Sequence, residues 1–130
     1  MKCKIDITAD TDLAAWVSRE AFMANVDLND LACRESETVF DWYHPHWFWY
    51  DVNGELYFIP PAFEFRSGRL RGINGRHRAV LLLRHLKAIP MLLVLPGRWP
   101  KEKLAEIMQR EIKKNEIVEL PNLPVNASIQ

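Results

Sequence analysis

Residues 69–96, RLRGINGRHRAVLLLRHLKAIPMLLVLP, constrain this chain more than any other stretch. The periodicity changes twice within it. Residues 69–73 alternate as a strand, and Gly75 marks a sharp turn. Residues 76–87 then place Ala79, Leu82, Leu83 and Leu86 on one face of a helix, and Ile89 to Leu95 is an apolar run suited to a buried strand. So short a strand–helix–strand unit implies that both strands lie in one sheet, joined by a right-handed crossover. The expectation is therefore an α/β or α+β chain: a small mixed sheet flanked by about three helices.

The rest of the chain can be fitted around that unit. Residues 3–7 alternate and predict a strand. Asp10 or Thr11 can cap a following helix, in which Leu13, Trp16, Val17, Ala21 and Ala24 form the buried stripe. One helical turn is expected near Leu28–Arg34. Residues 40–65 hold eleven of the fourteen aromatics. WFWYDVNGELYFI reads as a hairpin around Asn53-Gly54, a favoured type I′ pair, and Pro60-Pro61 ends it. Arg66-Ser67-Gly68 separates AFEF from RLRGI in a second hairpin. Pro100 opens a last helix, with Leu104, Ile107, Met108 and Ile112 inward and Lys113 and Lys114 in its final turn. These elements make one domain over 1–120, with an irregular tail over 121–130.

Charge is divided unevenly along the chain. The formal net charge is zero, yet residues 1–64 carry about −8 and residues 65–130 about +8. A neutral total argues against a general nucleic-acid coat, while a local basic face stays open. Two distant cysteines, Cys3 and Cys33, exclude a CxxC zinc or redox site. They read as reduced thiols of a cytoplasmic protein, with one disulfide as the alternative. The N-terminus lacks the apolar segment of a signal peptide, and no run is long enough to span a bilayer.

The positive charge concentrates in one place. From Arg66 to Lys87 there are seven lysines and arginines and no carboxylate. If Gly75 opens a helix, the unpaired amides of the first turn and the helix dipole form a site suited to an anion. Arg76 and Arg78 can add forked donors for phosphate oxygens. His77 can donate to phosphate or move a proton near neutral pH, while Arg69 and Arg71 extend the basic surface. The competing reading is structural: the arginines pair with the acidic first half, for example Arg78 with Asp41 or Glu64.

G-R-H-R-A-V at a helix start, followed by I-P-M-L-L-V, resembles the signature box of the ParB/sulfiredoxin superfamily. The resemblance implies a phosphate-loop glycine at Gly75 and a phosphate-binding arginine at Arg78. His77 matches the histidine of the G-C-H-R version of the box. Arg76 stands where sulfiredoxins keep a catalytic cysteine, so sulfinic-acid reduction is not expected. Asn74 stands where relatives with a D-G-R-H-R box carry aspartate, which removes a carboxylate for metal-assisted chemistry. Partition proteins of the superfamily continue into a helix-turn-helix region, and only about 35 residues follow Leu95 here.

Two further patterns each admit more than one reading. His44 and His46 could share one face of a strand as a metal pair, or be plain surface histidines, and no metal ligand set is assigned. The aromatic block could stack bases or dock a protein, or simply fill a core. The leading expectation is a nucleotide- or nucleic-acid-phosphate-binding protein, with ATP, CTP or DNA as candidate ligands. In a nuclease or Mg-dependent phosphotransferase version, His77 and Glu64 are the acid–base candidates, with Asp41 and Asp51 behind them. The alternative is a non-enzymatic interaction module of inhibitor or immunity type that engages a protein through residues 40–65.

Overall fold

The structure, a computed structural model, describes residues 1–35 and 48–121. The described residues form an α+β arrangement with two mixed sheets and four α-helices. In chain order the elements are β1 (Lys2–Ile5), β2 (Leu13–Ser18), α1 (Arg19–Asn25), α2 (Leu28–Glu35), β3 (Trp49–Val52), β4 (Glu55–Phe58), β5 (Ala62–Arg66), β6 (Arg69–Asn74), α3 (Arg76–His85), β7 (Ala88–Leu93), α4 (Lys101–Ile107), β8 (Met108–Glu111) and β9 (Ile117–Glu119). One sheet runs β3-β4-β1-β9 and the other β6-β5-β7-β2-β8.

Both hairpins form as the turn residues require. Asn53 and Gly54 have φ of 53° and 83°, and Ser67 and Gly68 have 54° and 80°. Positive φ at both central positions twists a two-residue turn in the same sense as its strands. The strand–helix–strand unit forms too, with one change. β6 and β7 share a sheet but are not neighbours, because β5 lies between them. β7 runs parallel to β5, so the crossover is β5 to β7, with β6 and α3 inside it.

Two helix expectations fail for one physical reason. Residues 13–18 form a strand rather than a helix, and α1 begins only after Ser18, whose hydroxyl accepts from the Ala21 amide at 2.9 Å. Leu-Ala-Ala-Trp-Val is too short for its period to separate strand from helix. Its two open edges decide the matter, since β2 pairs with β7 on one side and β8 on the other. The last helix likewise stops at Ile107. Met108–Glu111 turns into β8, and the Ile112 amide donates to the Ala14 carbonyl at 2.7 Å. Lys113 and Lys114 therefore follow a strand, and no helix dipole acts on them.

The core fills the space between the sheets and the helices. Phe22 of α1 meets Phe63 of β5 edge-on at 4.9 Å. Trp49 and Phe58 pack at 4.9 Å under the four-stranded sheet, together with Cys3, Ile5 and Val118. Ile59-Pro60-Pro61 carries the chain from one sheet to the other, and the Pro61 carbonyl accepts from the Leu92 amide at 2.9 Å. The neighbouring strands β1 and β9 are also tied beyond their ladder. The N-terminal ammonium donates to the Leu120 carbonyl at 2.7 Å. Of the expected tail over 121–130 only Pro121 is described, and Leu120, the last residue of the expected domain, is fully buried.

Candidate functional site

The end of β6 and the start of α3 bring the arginine box together. Gly75 caps the helix in the left-handed region, at φ 81° and ψ 32°, where a side chain would be strained. Its carbonyl accepts the first helical bond, from Ala79, at 2.9 Å. No side chain caps the helix, and its first turn holds no acidic residue. Arg78 folds its guanidinium back against Gly75, where a Cβ would stand 2.5 Å from Nη2 and 2.8 Å from Cζ. Nε and Nη2 of Arg78 are buried there. Gly75 thus serves twice, by allowing the turn and by giving Arg78 room over it.

Arg76 points the other way. Its Nε donates to Oδ1 of Asp30 at 2.8 Å, with both side chains less than one-third exposed. The second oxygen of the same carboxylate accepts from the Gly72 amide at 2.8 Å. Asp30 therefore ties α2 to β6 and to the first residue of α3 at once. Arg71 reaches Oδ2 of Asp27 at a looser 3.5 Å. The Asp27 amide donates to the Leu70 carbonyl at 2.9 Å, which covers part of the exposed edge of β6. Structural pairing accounts for Arg76 and Arg71, with Asp30 and Asp27 as the partners. Neither aspartate was singled out from the sequence; the signal available was the excess of carboxylates in the first half.

The remaining expected residues do not converge on this turn. Glu64 pairs with Arg66 on its own strand at 3.6 Å. It lies opposite Arg71 in the hairpin register, on the sheet face away from Phe63 and Gly72. His77 is half-buried in the first turn of α3. Among the described contacts, none joins Glu64 to His77. Arg69 is exposed on β6 and borders a shallow surface depression with Met23, Asp27 and Leu28. Asp51 is used locally, its Oδ1 accepting from the Gly54 amide at 3.0 Å. Asp41, His44 and His46 lie outside the described residues. Among those described, no group of three or more histidine, cysteine, aspartate or glutamate side chains could hold a metal ion. Cys3 is a free, buried thiol, and burial pushes its pKa up to about 11, so it is a packing residue rather than a nucleophile.

The aromatic block splits between core and surface. Phe48, Trp49, Phe58 and Phe63 are buried. Tyr50 and Tyr57 stack at 5.1 Å, nearly parallel, on the solvent face of the four-stranded sheet. Lys4 stands next in the same row and pairs with Glu55 at 3.0 Å. No helix of the described chain is long and apolar enough to cross a membrane. No family model, curated protein or solved structure matches this chain.

Proposed function

We propose that the protein binds a phosphate-bearing ligand, a nucleotide or a nucleic-acid backbone, at the start of α3. Gly75 is the residue of close approach and Arg78 the phosphate contact. The observation that carries this reading is the uncapped, left-handed helix start with the Arg78 guanidinium laid over it. An anion there would meet first-turn amides, the positive end of the dipole and a forked donor together. The likeness of G-R-H-R to the ParB/sulfiredoxin box supports the same two residues. Arg76 becomes a positioning residue in this account, because Asp30 already holds it. His77 is adjacent and can donate to the ligand. A cytoplasmic setting goes with a nucleotide ligand and a reduced Cys3. Binding is the scope of the proposal; Glu64, the expected acid–base candidate, pairs with Arg66 on its own strand.

The test is a thermal-shift and calorimetric panel of ATP, CTP, pyrophosphate and short DNA, with and without Mg²⁺. A ligand at a hundredfold its Kd should stabilise the fold by about 2.7 kcal/mol. Arg78→Ala is expected to abolish that shift while the protein stays folded. Unchanged binding by this variant would sink the proposal.

A protein-docking role is the second reading, and one observation favours it. The solvent face of the four-stranded sheet exposes Tyr50, Val52 and Ile117 around the Tyr50–Tyr57 stack. Recovery of a single stoichiometric protein partner, lost on Tyr50→Ala, with no nucleotide-dependent shift, would replace the phosphate reading with this one.

A further inference from the structure

The outer face of the β5–β6 hairpin carries a charged strip that ends at a cavity. Arg69, Arg71 and Ile73 are exposed alternate residues of β6. Alternate residues of a strand share a face and stand about 6.6 Å apart. Arg66 of β5 is the register partner of Arg69, and its side chain is 70% exposed. It reaches Glu64 only at 3.6 Å, and Arg71, 44% exposed, reaches Asp27 only at 3.5 Å. Ion pairs so long and so exposed hold their charges weakly, so a carboxylate from outside can take either arginine. No carboxylate among the described residues engages Arg69. Beyond Arg71 the strip turns apolar. Ile73 is half exposed, and it lines a cavity of about 230 Å³ with Ile59, Leu92 and Val94. Asp6 and Asp12 also line that cavity, and no lysine, arginine or histidine does.

We propose that the strip and the cavity together bind an extended acidic segment of a partner protein. Its carboxylates lie at alternate positions over Arg69 and Arg71, and an apolar side chain further along enters the cavity. An extended peptide repeats its side chains with the same period as β6, so alternate carboxylates meet successive guanidinium forks. Charge sets the order of the segment. Carboxylates are attracted at the arginine end and repelled from the cavity by Asp6 and Asp12, so a neutral group goes there. The cavity is smaller than the range of about 300–1,000 Å³ usual for drug-sized ligands, which suits one side chain. A nucleic-acid strand carries a phosphate at every step, and Glu64, Asp6 and Asp12 would oppose those nearest them. The site uses neither Arg78 nor the first-turn amides of α3, so it is separate from the phosphate reading.

The experiment is an amide ¹H–¹⁵N NMR titration of the full chain with two capped pentapeptides, acetyl-Asp-Thr-Asp-Thr-Phe-amide and its reverse sequence, which cover both strand directions. One of them should bind with a Kd below about 1 mM and shift the amides of Arg69, Arg71, Ile73 and Asn74. Replacing both of its aspartates by asparagine, or its phenylalanine by alanine, should weaken binding at least about tenfold. Those changes leave the protein untouched, so the test does not depend on a variant folding. In the protein, Arg69→Gln and Arg71→Gln should each weaken binding about three- to tenfold, and Ile73→Ser should reduce the preference for phenylalanine over alanine. Binding of neither peptide, equal binding of the asparagine or alanine peptide, shifts confined to other amides, or full binding by Arg69→Gln and Arg71→Gln would each overturn the proposal. An oligothymidylate that displaces the peptide from the same amides at lower concentration would also overturn it, in favour of nucleic acid. Pyrophosphate, titrated in parallel, reports on Arg78 separately, so failure at one site does not read as failure at the other.

Discussion

The two hairpins share the same turn geometry and have different surroundings. β3–β4 and β5–β6 each close through two residues with positive φ, differing by three degrees or less at matching positions. Each buries an aromatic underneath, Phe58 in the first and Phe63 in the second. Their outer parts differ. The first leaves Tyr50 and Val52 exposed on an open face. The second is strapped by α2 and the residues just before it, with Val26 bridging Leu70 and Asp30 of α2 holding Gly72 and Arg76. Local turn chemistry made two similar hairpins, and their neighbours made one an open surface and the other the support of a charged helix start.

The largest expected effect tests the shared part. Phe63→Ala and Phe58→Ala should each cost about 3–5 kcal/mol, because both rings are fully buried. Urea denaturation measures this. A much milder Phe58→Ala would mean that the hairpins differ in their cores as well as on their outer faces.

The next effects test the strap. Asp30→Ala removes two hydrogen bonds and leaves Arg76 without its carboxylate, for an expected loss of about 2–3 kcal/mol. Gly72→Ala probes the same contact sterically. A Cβ there would stand 2.6 Å from Cγ of Arg76 and 3.3 Å from Oδ2 of Asp30, so a loss of about 1–3 kcal/mol is expected. On the open hairpin, Tyr50→Ala should cost only about 0.5–1 kcal/mol, the value of a partly exposed aromatic pair. If Asp30→Ala proves as mild as Tyr50→Ala in the same assay, the strap is a surface decoration and the contrast fails.

The smallest effect is electrostatic and belongs to the open sheet. Lys4 donates a hydrogen bond to Glu55, which lowers the Glu55 pKa below its ordinary value. Stability from a depressed carboxylate is fully present above the unfolded pKa and fades as pH falls through the folded one. The same hydrogen bond raises Lys4, whose contribution is present below its unfolded pKa and fades as pH rises through its folded one. The pair should therefore hold across the neutral range. NMR titration of Glu55 in Lys4→Met should move its pKa back up, and no movement would remove the pair from the account.

Much of this architecture was legible because the cues were local. Asn53-Gly54, Ser67-Gly68 and Gly75 each mark a backbone conformation that few residues adopt, and all three appear where expected. The failures were non-local. Leu13–Ser18 and Met108–Glu111 read as parts of helices because short apolar runs carry no decisive period. They are strands because β2 completes the sheet between β7 and β8. At the box, the clustering of Arg76, His77 and Arg78 at a helix start was readable. That Arg76 leans to Asp30 while Arg78 folds over Gly75 was not, since α2 lies more than forty residues away in sequence.

By itself, the sequence determined the turns, the helix over α3 and the concentration of positive charge at its start, because each depends on residues within a few positions of one another. Tertiary structure alone decided which arginines are neutralised and which aromatics face solvent. Those outcomes depend on distances between segments far apart in the chain, and only the packing of sheets and helices sets them.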